Sequence, residues 1–450
     1  MKRKVMQSLI EWKDSVSRKP LILRGARQVG KTWLLKKFGE LHFNRIVHIN
    51  FDEDDISKRI FDHDYNIPRI IKALQIKSNT TIDPDKTLII FDEIQEAPRA
   101  VTCLKYFCEN APEYFVVAAG SLLGVTSLEG TGFPVGKVDF IDLYPMSFCE
   151  FLEATHQERF VELLNSGDWI NIQTFKNNFI ENLRTYYYVG GMPEAVATFV
   201  ESQDFGRVRQ IQKQLLDSYE RDFSKHAPSN MVPRIRLVWN SIAQQLAKEN
   251  RKFIYGALRK NARASEFELA IQWLKDAGLI HTVSRVAKAG VPLASYQDSA
   301  FKLFALDVGL LGAMSGLDVQ SIILGNQIFE EFKGSLTEQY VLQQLISESK
   351  LSPYYWSTEN SSGEIDFIFQ YGKNVFPLEV KAEENLKAKS LMFYSRKYKV
   401  SLALRTSMSE YRKDKIDAIA TPKDDRDFQF DLINIPLYAI HRMTSICDQN

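Results

Sequence analysis

The chain has 450 residues, 45% of them hydrophobic, and a formal net charge of +1. This length exceeds what one core usually organises, so several domains are expected, and the near-zero charge excludes a global pull toward polyanions. Cys103, Cys108, Cys149 and Cys447 lack paired ligand spacing and the seven histidines form no His-x₃-His pattern, which argues against zinc. The basic start, Met1-Lys2-Arg3-Lys4, leads into no long apolar stretch or cleavage site, and no apolar run reaches about eighteen residues. A cytoplasmic protein with no membrane segment is expected.

The first predicted strand is Leu21-Ile22-Leu23, and it feeds Gly25, Ala26, Arg27, Gln28, Val29, Gly30, Lys31 and Thr32, which satisfy GxxxxGK[ST]. In a phosphate-binding loop the backbone N–H groups of such a turn face a triphosphate, the lysine reaches the β/γ oxygens and the Thr32 hydroxyl takes a place on Mg²⁺. Further strands are predicted over 45–51, 87–91, 114–119 and 137–144, separated by helix-like segments, which indicates a parallel sheet with crossover helices. The third strand ends Phe91-Asp92-Glu93. Asp92 is placed to hold Mg²⁺ through its water shell, and Glu93 to polarise the attacking water. Ser121, ending the next strand, could sense the γ-phosphate, although a plain Gly-Ser turn also explains it.

Residues 147–227 read as helical, with Gly190-Gly191-Met192-Pro193 breaking the pattern. Beyond the loop at 226–230, helical segments lead to a glycine and two strands around Ala289-Gly290, the order of a winged helix. Arg251, Lys252, Arg259, Lys260, Arg263, Arg285 and Lys288 make this region basic, which suits a solvated face as well as DNA. A long helix over 327–349 then precedes three strands, the last two a hairpin with its turn at Tyr371-Gly372-Lys373-Asn374. Strand alternation puts Glu379 and Lys381 on one face, with Asp366 at the start of the partner strand. Glu338 on the helix could add a carboxylate. Clustered acidic oxygens with a nearby lysine are what metal-dependent phosphodiester cleavage needs, and a cross-face Glu-Lys ion pair is the plainer explanation.

The P-loop, Asp92-Glu93, Ala119-Gly120-Ser121, Leu143-Tyr144-Pro145-Met146-Ser147-Phe148 and the Gly190-Gly191 motif together resemble a bacterial and archaeal AAA-type ATPase family, almost end to end. The resemblance implies an α/β fold: a P-loop NTPase parallel sheet over 1–146, a helical lid over 147–227, a winged-helix-like domain over 228–322 and a C-terminal domain over 323–450. That last domain, of unknown function in the family, resembles the PD-(D/E)xK (restriction-endonuclease-like) core, with Ile365 where the name has proline. Expected ligands are ATP, Mg²⁺ and, through the last two domains, DNA. Lys31, Glu93, Ser121, Glu379 and Lys381 are the expected catalytic groups; Thr32, Asp92, Glu338, Asp366 and Glu379 are the expected metal ligands. Many such ATPases carry an arginine where this chain has Lys137, which lacks the planar fork and leaves any trans-acting finger, and with it a homo-oligomer, open. Two readings follow: an ATPase coupled to DNA with a nuclease-type domain, or an ATP-dependent switch that uses the C-terminal domain for docking.

Overall fold

The computed structural model describes residues 1–53, 55–120, 132–248, 252–319, 330–358, 363–383, 389–418 and 428–449. They fall into two compact units: Met1–Tyr144 with Arg221–Asn230 and Gln272–Leu279, and Pro145–Glu220 with Met231–Ile271 and Ile280–Asn450.

The first unit contains β1 (Leu21–Arg24), β2 (Arg45–Asn50), β3 (Thr87–Asp92), β4 (Phe115–Ala119) and β5 (Asp139–Asp142) in the spatial order β2-β3-β4-β1-β5. Every neighbouring pair is parallel. Because strand side chains alternate, Ile22, Ile89, Phe91, Val116 and Ala118 share a core with Ile70, Leu74, Val101 and Leu104 of the helices Ile67–Ser78 and Pro98–Asn110. The helix Lys31–His42 packs through Gly39, where an added Cβ would press on Ile46 and Leu88. Covering both faces makes a central strand apolar throughout, and β3 is buried at every position.

The second unit carries β6 (Ile280–Val286), β7 (Gln297–Ala305), β8 (Tyr354–Ser357), β9 (Glu364–Tyr371), β10 (Asn374–Val380), β11 (Leu402–Ser407), β12 (Arg412–Ala418) and β13 (Phe428–Pro436). They form one mixed sheet of eight strands in the order β12-β13-β11-β10-β9-β8-β6-β7. The expected hairpin is β9–β10, antiparallel with Leu378 opposite Phe367, and β10 runs parallel to β11. The strands β6 and β7, expected from the sequence to form a wing, join this sheet through the parallel pairing of Arg285 with Tyr355, so segments 228–322 and 323–450 share a sheet.

The motifs around residues 145 and 190 meet in this unit. Ser147 caps the helix Phe148–Ala154: its side chain accepts from Glu150 N at 3.2 Å while Glu150 returns a bond to Ser147 N at 3.0 Å. Met146 N donates to Gly191 O at 2.6 Å, and Gly191 N donates to the buried Asp307 carboxylate at 2.7 Å. Asp307 also accepts from Gly309 N, Leu310 N and Gln343 Nε2. Burial raises its pKa against these bonds. Gln343 and Gln339, on the buried helix Glu330–Ser347, satisfy the backbone at Val308 and Ala305 in turn.

Candidate nucleotide site and C-terminal carboxylates

The turn after β1 takes its shape from its glycines. Gly30 starts the helix Lys31–His42 at φ +93°, and at Gly25 (φ +151°) an added Cβ would run into the Leu143 carbonyl. Arg3 clamps the loop, donating to Val29 O at 2.9 Å and Tyr144 O at 2.6 Å. The P-loop Arg27 pairs with Asp222, and Gly278 (φ +72°) packs on Ala26. Lys31, only 6% exposed, donates to Gly25 O at 3.0 Å and Ala26 O at 2.7 Å. Burial lowers its pKa to about 8, against the pull of Glu93 and Asp92.

The strand order puts β4 between the P-loop strand and the acidic strand, so the ends of β1 and β3 flank the end of β4. Thr32 Oγ1 donates to Asp92 Oδ2 at 2.8 Å, and His48 Nε2 lies 3.2 Å from the same oxygen. Burial works to raise the Asp92 pKa, but the hydrogen bonds from His48 and Thr32 outweigh it and hold the carboxyl below the usual range. Glu93 turns out of the strand at φ +49° and accepts from Gln95 Nε2 at 2.6 Å. The two residues expected to act on Mg²⁺, Thr32 and Asp92, thus lie in direct contact. Ser121 lies outside the described residues, as does Arg251. Lys137 bonds Glu109 at 2.9 Å.

His48, Gln95, Asp222 and Arg3 also belong to this site, and nothing in the motif announces them. His48 reaches Asp92 because β2 lies beside β3, and Asp222 comes from 195 positions along the chain from Arg27.

In the second unit Asp366 and Glu379 come together as the hairpin requires. Asp366 Oδ2 accepts from Val380 N at 2.7 Å, and Lys381 Nζ bonds Glu379 Oε1 at 2.6 Å. Burial and then the nearby Asp366 charge push the Glu379 carboxyl up to about 7. Glu338 does not complete a ligand triad. Its charge faces Lys302, whose Nζ is 3.6 Å from Glu338 Oε2 and 2.5 Å from Glu364 Oε1. Among the described residues no group of three or more His, Cys, Asp or Glu is placed to hold a metal ion. The hairpin supplied two carboxylates as expected; an ammonium from β7 claimed the third.

A parallel sheet ordered this way, with a P-loop after β1 and a hydroxyl–carboxylate pair beneath it, defines an AAA-type P-loop ATPase domain. Residues 17–152 match the family model described as an AAA domain. Residues 180–321 and 333–434 match two domains of unknown function, DUF8612 and DUF4143. No curated protein matches the chain. Among solved structures, the Orc1 protein of Aeropyrum pernix in complex with DNA is similar over 70% of this chain and 91% of its own, at 12% identity and TM-score 0.29. PCH-2 of C. elegans is similar over 45% of this chain and 63% of its own, at 14% identity and TM-score 0.28. Cdc6p of Pyrobaculum aerophilum is similar over 71% of this chain and 93% of its own, at 13% identity and TM-score 0.23. No helix among the described residues is long and apolar enough to cross a membrane.

Proposed function

We propose that the chain is a Mg-ATP-dependent ATPase whose nucleotide state is coupled to contact with DNA. The observation that carries this reading is the Thr32–Asp92 bond at 2.8 Å, two oxygen ligands joined directly below a glycine cradle whose lysine is already turned inward. The residues suit Mg²⁺, which binds through one or two protein oxygens, keeps water and, when present, neutralises the β- and γ-phosphoryl oxygens. Thr32 and Asp92 would hold it. Lys31 exchanges its loop carbonyls for phosphate oxygens, and Glu93, released from Gln95, orients the attacking water and takes its proton. Ser121 remains the proposed γ-phosphate sensor. Arg27 links the loop through an ion pair to Asp222 near the end of the helix Phe205–His226, so a change at the loop on nucleotide binding would be felt there.

The DNA part rests on exposed Lys252, Lys260, Arg263 and Lys288. Arg259 and Arg285 are paired with Glu266 and Asp298, and the helix Ala264–Asp276 exposes Ser265, Glu268, Leu269, Gln272, Lys275 and Asp276, where two carboxylates outweigh the one lysine. Contact therefore falls to the loop before that helix and to the β6–β7 hairpin. A helix followed by β8, β9, β10, a second helix and β11 supports the nuclease-like reading of the C-terminal domain. The direct Lys381–Glu379 bond favours the second reading, in which this fold docks a partner and does not cut.

The test is ATP turnover by the full chain with and without duplex DNA, and nicking of the same DNA in Mn²⁺. The coupled reading predicts Mg²⁺-dependent turnover that DNA changes and that Lys31→Ala abolishes. Turnover indifferent to DNA, with no nicking, would leave the docking reading standing.

A further inference from the structure

Lys302 is fully buried, and the groups around it are acidic from two directions. Glu338, 2% exposed, reaches it from the helix Glu330–Ser347, and Glu364 from the first position of β9. Glu364 lies two residues from Asp366 on the same strand, so both point to one face, and Asp366 in turn acts on Glu379. The result is a row of carboxylates, Glu338, Glu364, Asp366 and Glu379, with an ammonium at each end: Lys302 at one and Lys381 at the other. The Tyr355 ring lies 5.0 Å from the Lys302 ammonium.

We propose that Lys302 is a built-in cation of this sheet, its ammonium occupying the position between Glu338 and Glu364 that a divalent ion would otherwise take. A metal needs carboxylate oxygens free to close to about 2.0–2.6 Å around it. Here those oxygens already face a compact point charge carried in by β7, and a second cation would meet its repulsion beside a fully buried ammonium. Glu338 and Glu364 are consequently withheld from metal. An isolated buried carboxylate is strongly disfavoured, so removing the ammonium leaves a vacancy with the charge and donor type of a cation site. The inference does not depend on what the P-loop does.

The experiment is a Mn²⁺ titration of the nucleotide-free full chain, followed by the free-Mn²⁺ paramagnetic resonance signal and by Tm, in an Asp92→Asn background that silences the P-loop carboxylate. Lys302→Met is expected to gain a Mn²⁺ site and a Mn²⁺-dependent rise in Tm, both lost when Glu338→Gln is added. Lys302→Met/Glu364→Gln drops one carboxylate with the ammonium, so it is expected to fold without metal and to keep a weaker site that Glu338→Gln also removes. The proposal is overturned if neither variant gains Mn²⁺ binding, as an ordinary structural ion pair would predict. It is overturned equally if Glu338→Gln weakens Mn²⁺ binding while Lys302 is intact.

Discussion

Lys31 is held in a state that its ligand must change. Burial lowers its pKa to about 8, and its ammonium donates to the Gly25 and Ala26 carbonyls of its own loop. A triphosphate placed against it favours the charged form, so the pKa rises on binding. The sign follows directly: at pH 8 about half of the lysines are neutral, and binding ATP draws a proton from the buffer. Calorimetric titration at pH 8, well above the pKa of the terminal phosphate, should give a binding enthalpy that varies with the ionisation enthalpy of the buffer. Above pH 8 the ATP affinity should fall with rising pH. A buffer-independent enthalpy at pH 8 would mean that Lys31 is charged before ATP arrives.

At the level of elements, the Gly190-Gly191 turn is a packing joint and not a flexible break. A Cβ on Gly191 would overlap the Met146 carbonyl, and the glycine backbone is already committed to Met146 and Asp307. Gly191→Ala should therefore cost about 2–4 kcal/mol by chemical denaturation, an overpacking cost with a buried hydrogen bond at stake. Gly256, with nothing near its Cβ position, is the control: Gly256→Ala should stay within about 0.5 kcal/mol of the parent. Equal losses in the two variants would contradict this account of the joint. The glycines of the P-loop and the strands of the first unit are legible because each is written in adjacent residues: β1 begins where the apolar run does and ends one residue beyond it, at Arg24. His48 beside Asp92, Asp222 on Arg27 and Lys302 on Glu338 were not legible. Each contact depends on which strand or helix end lies next to which, and that order is set by packing over long separations.

For the whole molecule, the same distinction explains the sheet of the second unit. Both β6–β7 and β9–β10 were readable as strands, but their union through β8 rests on one parallel pairing, Arg285 with Tyr355, which no periodicity encodes. That union is what brings Lys302 to Glu338 and Glu364, a neighbour that no local pattern in the C-terminal segment announces. At the candidate nucleotide site, by contrast, the loop, the strand and the Thr32–Asp92 bond all lie within the first unit. Its central claim is hydrolysis at Asp92-Glu93. The most direct measurement is steady-state ATP turnover by the full chain and by Glu93→Gln, with ATP affinity measured in parallel. We expect Mg²⁺-dependent turnover that falls by about 100-fold or more in Glu93→Gln while affinity stays within about threefold, the signature of a lost general base. Undiminished turnover in Glu93→Gln, or a parent chain that binds ATP and never hydrolyses it, would contradict the claim.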